Sequence, residues 1–430
     1  MSRSRDLPGL RRHWNALLDG WQTLSPVRAG VVIFALAVCV QAAFLFVLPE
    51  PMQRSESSDY QTFYEPVART LLADGVLQTP DGGAAVRYPP GFPVGLAWIF
   101  ALAEHLPGDE ALWLLLAGLF IGSLGATAHH QLCRHLVGAR GAFVASLMLL
   151  SYLPWLWLHK QPNSETLFLP LLFAGLAGFA GLDVTRPRAW NRAAVSGALL
   201  ALATLVRPVS LLLPVGLAGL LVFGFVGPSG KTSTGRRLGV AAVLLATFVA
   251  VLAPWQIWVR AQVGDWIPIS TGGRLSLLDG LTVAAKDDRD GPEVPADVRR
   301  LMEAVQGNRS LIGGPADAAQ FMVEEASLLT VAKTLWVKAT RSWYATESLR
   351  YEKALAALQA PYLIAVFFGL IGLFRAGPGA RSAFWIVLAV SLYFWAMTIL
   401  VLSILRYMVP AMALLFAAAA FPWTRSRQNP

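Results

Sequence analysis

The residues best suited to chemistry lie in one polar stretch, Ser55 to Pro93, that interrupts an otherwise very apolar chain. It opens with two carboxylates, Glu56 and Asp59, and closes on Arg87, Tyr88, Pro89 and Pro90, with Tyr60 and Tyr64 between. A carboxylate in such a loop can take a proton from a hydroxyl or an amine. Arginine can grip a phosphate through two parallel hydrogen bonds. Besides Arg87, cations beside apolar runs occur at Lys160, Arg207 and Arg406, and the last two sit in tight apolar contexts that a solvated charge would avoid. Glu165 begins an apolar run shortly after His159 and Lys160. Such a set suits proton removal from an acceptor at one point and stabilisation of a departing phosphate at another.

Each residue has a plainer role open to it. Asp59 and Glu165 fit the positive ends of helices, Glu56 fits a solvated loop, and arginines at membrane edges commonly snorkel to headgroups. His159 fits the interface, and a metal site built on it needs partners that the sequence does not identify. The GPSGKTST stretch at Gly227 resembles a phosphate-binding loop, but Phe225 stands where its first glycine belongs and a membrane run precedes it. The two cysteines, Cys39 and Cys133, form no metal-binding or disulfide pattern.

The elements that must position these residues are membrane helices. In 430 residues, 55% are apolar and 14% charged, and the mean hydropathy is +0.53, whereas soluble proteins carry roughly 25% charged residues. A net charge of +9 could suggest nucleic acid, but the cations are scattered in short clusters beside apolar runs, as membrane topology requires. Nucleic acid is therefore not the partner, and membrane lipids are. Apolar runs long enough to cross ~30 Å of hydrocarbon predict ten spans: Val27 to Leu48, Asp109 to Leu132, Gly141 to Leu158, Ser164 to Leu182, Arg192 to Val206, Pro208 to Val226, Arg237 to Trp258, Ala354 to Phe374, Ser382 to Leu402 and Tyr407 to Trp423. A shorter piece, Gly91 to Leu106, is expected to lie in the interface or re-enter. With that choice the short basic loops, including Arg134 with Arg140 and Arg186 with Arg188, fall on one side, which the positive-inside rule makes cytoplasmic.

Along the chain this gives a basic cytoplasmic N-terminus (1–26), a membrane module (27–258) carrying the external loop 49–108, a long external cap (259–353), C-terminal membrane helices (354–423) and a cytoplasmic tail (424–430). In the first loop, Ser58 with Gln61 predicts a capped helix from Asp59 to Ala73, with Tyr60, Phe63, Tyr64, Val67 and Leu71 on one packed face. The cap is too polar to be membrane, and a helix is expected from Pro315 to Tyr344.

The motifs SDYQTFYEPVARTLLADG, RYPPGFPVGLAW, NSETLFLPLLFAGL at Asn163, LVRPVSLLLP at Leu205, PWQIWVRAQVGDWIPISTGG at Pro254 and LRYMVPAMALL at Leu405 occur in this order across Val27 to Trp423. On them the chain resembles the bacterial family related to protein O-mannosyltransferases and to the transferases that add aminoarabinose to lipid A. The resemblance implies an all-α type C glycosyltransferase fold, a polyprenyl-phosphate sugar donor, a hexosyl or pentosyl group, and a lipid, glycan or protein acceptor. It implies a bacterial inner membrane, with the site facing the periplasm or cell exterior. Asp59 is then the base, with Glu56 the second candidate, because Ser57 and Ser58 separate the two acids where many members carry an adjacent pair. Arg87, Arg207 and Arg406 are the candidates for the donor phosphate. Glu165, with His159 and Lys160, is the candidate for an acceptor amine or a metal; a divalent metal stays open and no cofactor is fixed. Tyr60, Tyr64, Tyr88, Pro89 and Pro90 shape the substrate loop. A polytopic lipid or sugar transporter or flippase is the competing class, but such proteins concentrate polar groups at the bilayer midplane.

Overall fold

The computed structural model describes residues 8–49, 52, 57–227, 232–282 and 294–424. Glu56, most of the turn-rich stretch from Ala285 to Pro295, part of the Gly227 turn and nearly all of the C-terminal tail lie outside the described residues. Among those described, the chain is helical, with one isolated β-bridge, Gln78 to Ala84.

A short amphipathic helix, α1 (Pro8–Thr23), precedes α2 (Pro26–Val47). Ser25 caps α2 by accepting the Arg28 amide, and Pro26 occupies a first-turn position that needs no amide partner. After the first loop, which carries α3 (Glu65–Asp74) and α4 (Gly91–Ala103), comes α5 (Glu110–Leu150), then α6 (Leu153–His159), α7 (Ser164–Ala180), α8 (Ala189–Val206), α9 (Leu213–Val222) and α10 (Thr234–Val263). Helices α2, α5, α7, α8 and α10 pack in succession, each on the next.

Ten spans are predicted, and among the described residues seven helices are long and apolar enough to cross, or eight if α6 and α7, bent by 117° at their junction, count as one. The difference lies in how the chain breaks. Helix α5 has 41 residues, about 60 Å at ~1.5 Å per residue and twice the hydrocarbon thickness. Its backbone leaves helical geometry at Val137 and Gly138, where Gly138 takes φ 71°, so the two predicted spans on either side of that point share one nominal helix. The run predicted from Pro208 is a 3-10 turn, Pro208–Ser210, followed by α9. Helix α4 has 13 residues, too few to cross.

At the other end of the chain are α15 (Glu352–Arg375), α16 (Pro378–Leu400) and α17 (Val409–Ala419). Every residue of α17 is buried, as expected for a helix apolar all round and enclosed by neighbours. It packs against α5, α15 and α16.

Between α10 and α15 the described residues of the cap form four helices: α11 (Gly273–Thr282), α12 (Ala296–Gly307), α13 (Pro315–Glu325) and α14 (Leu328–Arg341). The single helix predicted from Pro315 to Tyr344 is two. The chain turns extended at Ala326, and Ser327 starts α14 by accepting the Thr330 amide at 3.2 Å. Leu278, Leu281, Leu301, Val305 and Ile312 make a small core for the cap. Two buried polar contacts join it to the bundle. Arg341 pairs with Glu352 through two 2.9 Å hydrogen bonds, and Lys338 Nζ donates to Gly280 O at 2.6 Å and Val401 O at 3.0 Å. Burial, with Arg341 nearby, lowers the Lys338 pKa to about 7.

Candidate active site

One pocket of about 250 Å³ gathers Asp59, Tyr64, Tyr88, Glu165, Arg207 and Arg406 from the first loop, α7 and two helix breaks. Sequence places these residues up to hundreds of positions apart. The structure brings them together by interrupting helices at the right points.

In the first loop, Ser57 rather than Ser58 makes the start, its Oγ accepting the Tyr60 amide at 3.2 Å. The next residues, Tyr60–Tyr64, form a π-helical turn before α3, an irregularity that often accompanies functional sites. Tyr60, Phe63, Tyr64 and Val67 are buried as their spacing predicts. Asp59 makes no side-chain cap. Its Oδ1 instead accepts from the Tyr88 hydroxyl at 3.0 Å.

Tyr88 is held by an aromatic cluster, with ring centroids 5.1 Å from Phe63 and 5.1 Å from Tyr64. The following loop presses on the end of α8. A Cβ on Gly91 would lie 2.7 Å from Leu205 O, so only glycine allows the approach that sets Tyr88 near Arg207. Burial, then the Asp59 charge, pushes the Tyr88 phenol up to about 12, and burial raises Tyr64 as well. Both stay protonated at neutral pH.

Arg207 stands in extended geometry, φ −141° and ψ 124°, between α8 and the Pro208 turn, the conformation a following proline favours. Its Nη1 lies 2.7 Å from Glu165 Oε2 and donates to Ser164 Oγ at 2.8 Å. Arg406 lies in the 3-10 turn Leu405–Met408. It faces three carboxylates at longer range: Glu165 at 3.5 Å, Asp59 at 3.6 Å and Glu347 at 3.9 Å. Both guanidiniums rest on the Tyr407 ring, at 4.9 and 5.2 Å from its centroid. Arg406 Nε and Glu165 Oε1 are buried with no hydrogen-bond partner.

The remaining candidates stand elsewhere. Arg87 lies over the Tyr88 ring, 5.3 Å from its centroid, but is not part of the pocket lining. Its carbonyl and that of Val86 accept from Gly272 and Thr271 at 2.9 Å each, which ties the first loop to the cap. His159 is buried beneath Trp155, with Nδ1 2.7 Å from the Trp155 carbonyl. Lys160 packs over the Trp157 ring and donates to Met52 O. Tyr60, Pro89 and Pro90 support the loop without reaching the pocket.

Asp279 and Glu347, both from the cap, also line the pocket. Asp279 is oriented by Arg309 at 2.7 Å. Only folding brings these two acids to the site, and no local pattern marks them. Tyr407 had a sequence signal, since it adjoins Arg406 in LRYM. Among the described residues no three His, Cys, Asp or Glu side chains are grouped to hold a metal ion. The metal that the resemblance leaves open therefore has no donor set there.

No protein-family pattern matches the chain, and no curated protein sequence is measurably similar to it. Its fold does match solved structures. The archaeal oligosaccharyltransferase AglB from Archaeoglobus fulgidus, in complex with an inhibitory peptide and a dolichol-phosphate, superposes with TM-score 0.59 at 13% identity over 91% of this chain. An Archaeoglobus fulgidus oligosaccharyltransferase tethered with an acceptor peptide gives TM-score 0.57 at 12% identity over 91% of this chain. The chain spans about half of those proteins, 50% and 49%. ArnT from Cupriavidus metallidurans bound to undecaprenyl phosphate overlaps less, with TM-score 0.42 at 16% identity over 91% of this chain and 77% of that one, and adds nothing to the assignment. The chain has the all-α membrane fold of the type C glycosyltransferases.

Proposed function

We propose that the protein is a membrane glycosyltransferase that moves one sugar from a polyprenyl-phosphate donor to an acceptor on the extracytoplasmic face. The observation that carries this reading is the convergence of Asp59, Arg207 and Arg406 in one pocket, on a fold shared with an enzyme solved in complex with a lipid phosphate. Fold alone does not give function, so the residues carry the argument.

Arg406 is the phosphate ligand. Its ion pairs of 3.5–3.9 Å are longer than the ~2.7–2.9 Å of a charge-assisted hydrogen bond, so a phosphate oxygen can displace them. Arg207, already committed to Glu165 and Ser164, fixes the wall. Asp59 is the base: the Tyr88 hydroxyl holds its Oδ1, and Oδ2, 3.6 Å from Arg406, takes the proton. The acceptor oxygen or nitrogen attacks the anomeric carbon, its proton goes to Asp59, and the bond from that carbon to the phosphate oxygen breaks. The electron pair leaves with the lipid phosphate, whose charge Arg406 balances. Phosphate binding would also draw Arg406 off Asp59, freeing the base when the donor is in place.

The pocket suits a single sugar. Its 250 Å³ is below the ~300–1,000 Å³ of drug-sized sites. Four carboxylates (Asp59, Glu165, Asp279 and Glu347) face two arginines in the lining, a surplus of acceptors that suits sugar hydroxyls.

The test is transfer by purified protein in nanodiscs from a panel of polyprenyl-phosphate sugars to water and to envelope acceptors, with product configuration read by NMR. Donor-dependent transfer with inversion is expected. A retained configuration contradicts direct displacement, and absence of both transfer and donor binding across the panel contradicts the glycosyltransferase reading.

A further inference from the structure

Helix α14 is inside out. Its buried face is Thr330, Thr334, Lys338 and Arg341, at 1–8% exposure, while Leu328, Leu329 and Trp336 stand 66–73% exposed, with Ala332 and Leu335 exposed beside them. At about 100° per residue the exposed apolar residues fill an arc of about 120°, and the buried polar ones lie opposite. Single exposed leucines are ordinary on a protein surface; an ordered reversal of the two faces is not.

The depth of the C-terminal end of the helix is fixed by two hydrogen bonds. Trp395, five residues before the end of α16, donates to Ala339 O at 3.0 Å, which sets the end of α14 about 8 Å inside the end of that span at ~1.5 Å per residue. Gln359, seven residues into α15, donates to Trp343 O at 3.1 Å. The C-terminal half of α14 is thus level with the apolar parts of two membrane helices. Its outer residues are as exposed as the outward-facing Phe367 and Phe368 of α15, at 61% and 64%.

We infer that α14 lies in the plane of the membrane, with Leu328, Leu329, Ala332, Leu335 and Trp336 in the lipid of the leaflet on the pocket side. At 14 residues it is too short to cross, and the length and composition match an interfacial helix immersed about 5–10 Å. Lys333, at the edge of the apolar arc, pairs with Asp297 of the cap at 2.7 Å and marks the waterward limit. The cap, which contributes Asp279 to the pocket, is therefore held down by lipid as well as by Arg341 and Lys338. This inference does not depend on the glycosyl-transfer reading.

The test uses the full chain with Cys39→Ser, in nanodiscs of phosphatidylethanolamine and phosphatidylglycerol. Nitroxide labels are placed one at a time through Leu328→Cys, Leu329→Cys, Ala332→Cys, Trp336→Cys and Lys333→Cys, and collision with oxygen is compared with collision with a water-soluble nickel chelate. The expected result is a several-fold higher oxygen-to-nickel ratio at 328, 329, 332 and 336 than at 333. Nickel access at these positions equal to that at 333 places the face in water and overturns the inference. Protection from both reagents indicates a protein partner and overturns it equally. Four positions on one face keep the test decisive if one labelled variant does not fold.

Discussion

Two arginines flank Glu165, and they are built differently. Arg207 touches Glu165 at 2.7 Å and also bonds Ser164, whereas Arg406 is strung among three carboxylates at 3.5–3.9 Å. A buried charge with one close, fully bonded partner is part of the scaffold, because removing either member strands the other. A buried charge shared loosely by several partners can be won by a new anion. Under the proposed mechanism the contrast separates the cation that shapes the pocket from the one that serves a leaving phosphate.

The largest expected effect lies on Asp59, the acid that Arg406 reaches at 3.6 Å. Asp59→Asn keeps the Tyr88 contact and the fold but removes the proposed base, and transfer is expected to fall by about 10²–10⁴ with donor binding retained; single-turnover assays in nanodiscs check this. The pair comparison comes next. Arg207→Met leaves Glu165 without its close partner and should destabilise the protein by about 3–5 kcal/mol, read as a lower thermal midpoint, with much of the loss recovered by adding Glu165→Gln. Equal destabilisation by Arg406→Met would erase the distinction.

Tyr88→Phe removes one hydrogen bond to a charged group, worth ~1.5–3 kcal/mol, and should slow transfer about 10–100-fold in the same single-turnover assay. The smallest effect concerns the cap. Lys338, with a folded pKa lowered from 10.5 to about 7, binds fewer protons folded than unfolded between those values, so stability rises with pH across that window and the gain is absent below about pH 7. Thermal midpoints of wild type should climb from pH 7 to 10 more steeply than those of Lys338→Met.

Much of this site was legible in the chain. Asp59 opens the Tyr-bearing helix of the polar loop, while Glu165, Arg207 and Arg406 each stand where an apolar run begins or breaks, and ionisable residues at such points carry a physical cost that marks them. Lys160, His159 and Arg87 carry the same local signal yet stand outside the pocket lining, because the signal reports the edge of a membrane helix and not the direction a side chain takes. Asp279 and Glu347 carry no signal at all: they reach the pocket only because α11 and the turn after α14 dock on α16. The predicted spans were likewise legible as apolar runs, with boundaries that bracket the breaks at Gly138 and Pro208, but the length of helix on either side of each break depends on packing. The cap illustrates the limit most plainly. Read by average composition, the stretch around α14 is too polar for membrane; read by face, its polar half is buried and its apolar half is exposed.

The division of labour between the arginines is tested most directly by binding of a polyprenyl-phosphate sugar to wild type, Arg406→Met and the Arg207→Met, Glu165→Gln double variant in nanodiscs, each first shown to be folded by its thermal midpoint. The account predicts that Arg406→Met loses donor affinity by tenfold or more, on the order of 1.4 kcal/mol, while the double variant keeps it within a few-fold. Unchanged binding in Arg406→Met, or a larger loss in the double variant, would contradict it.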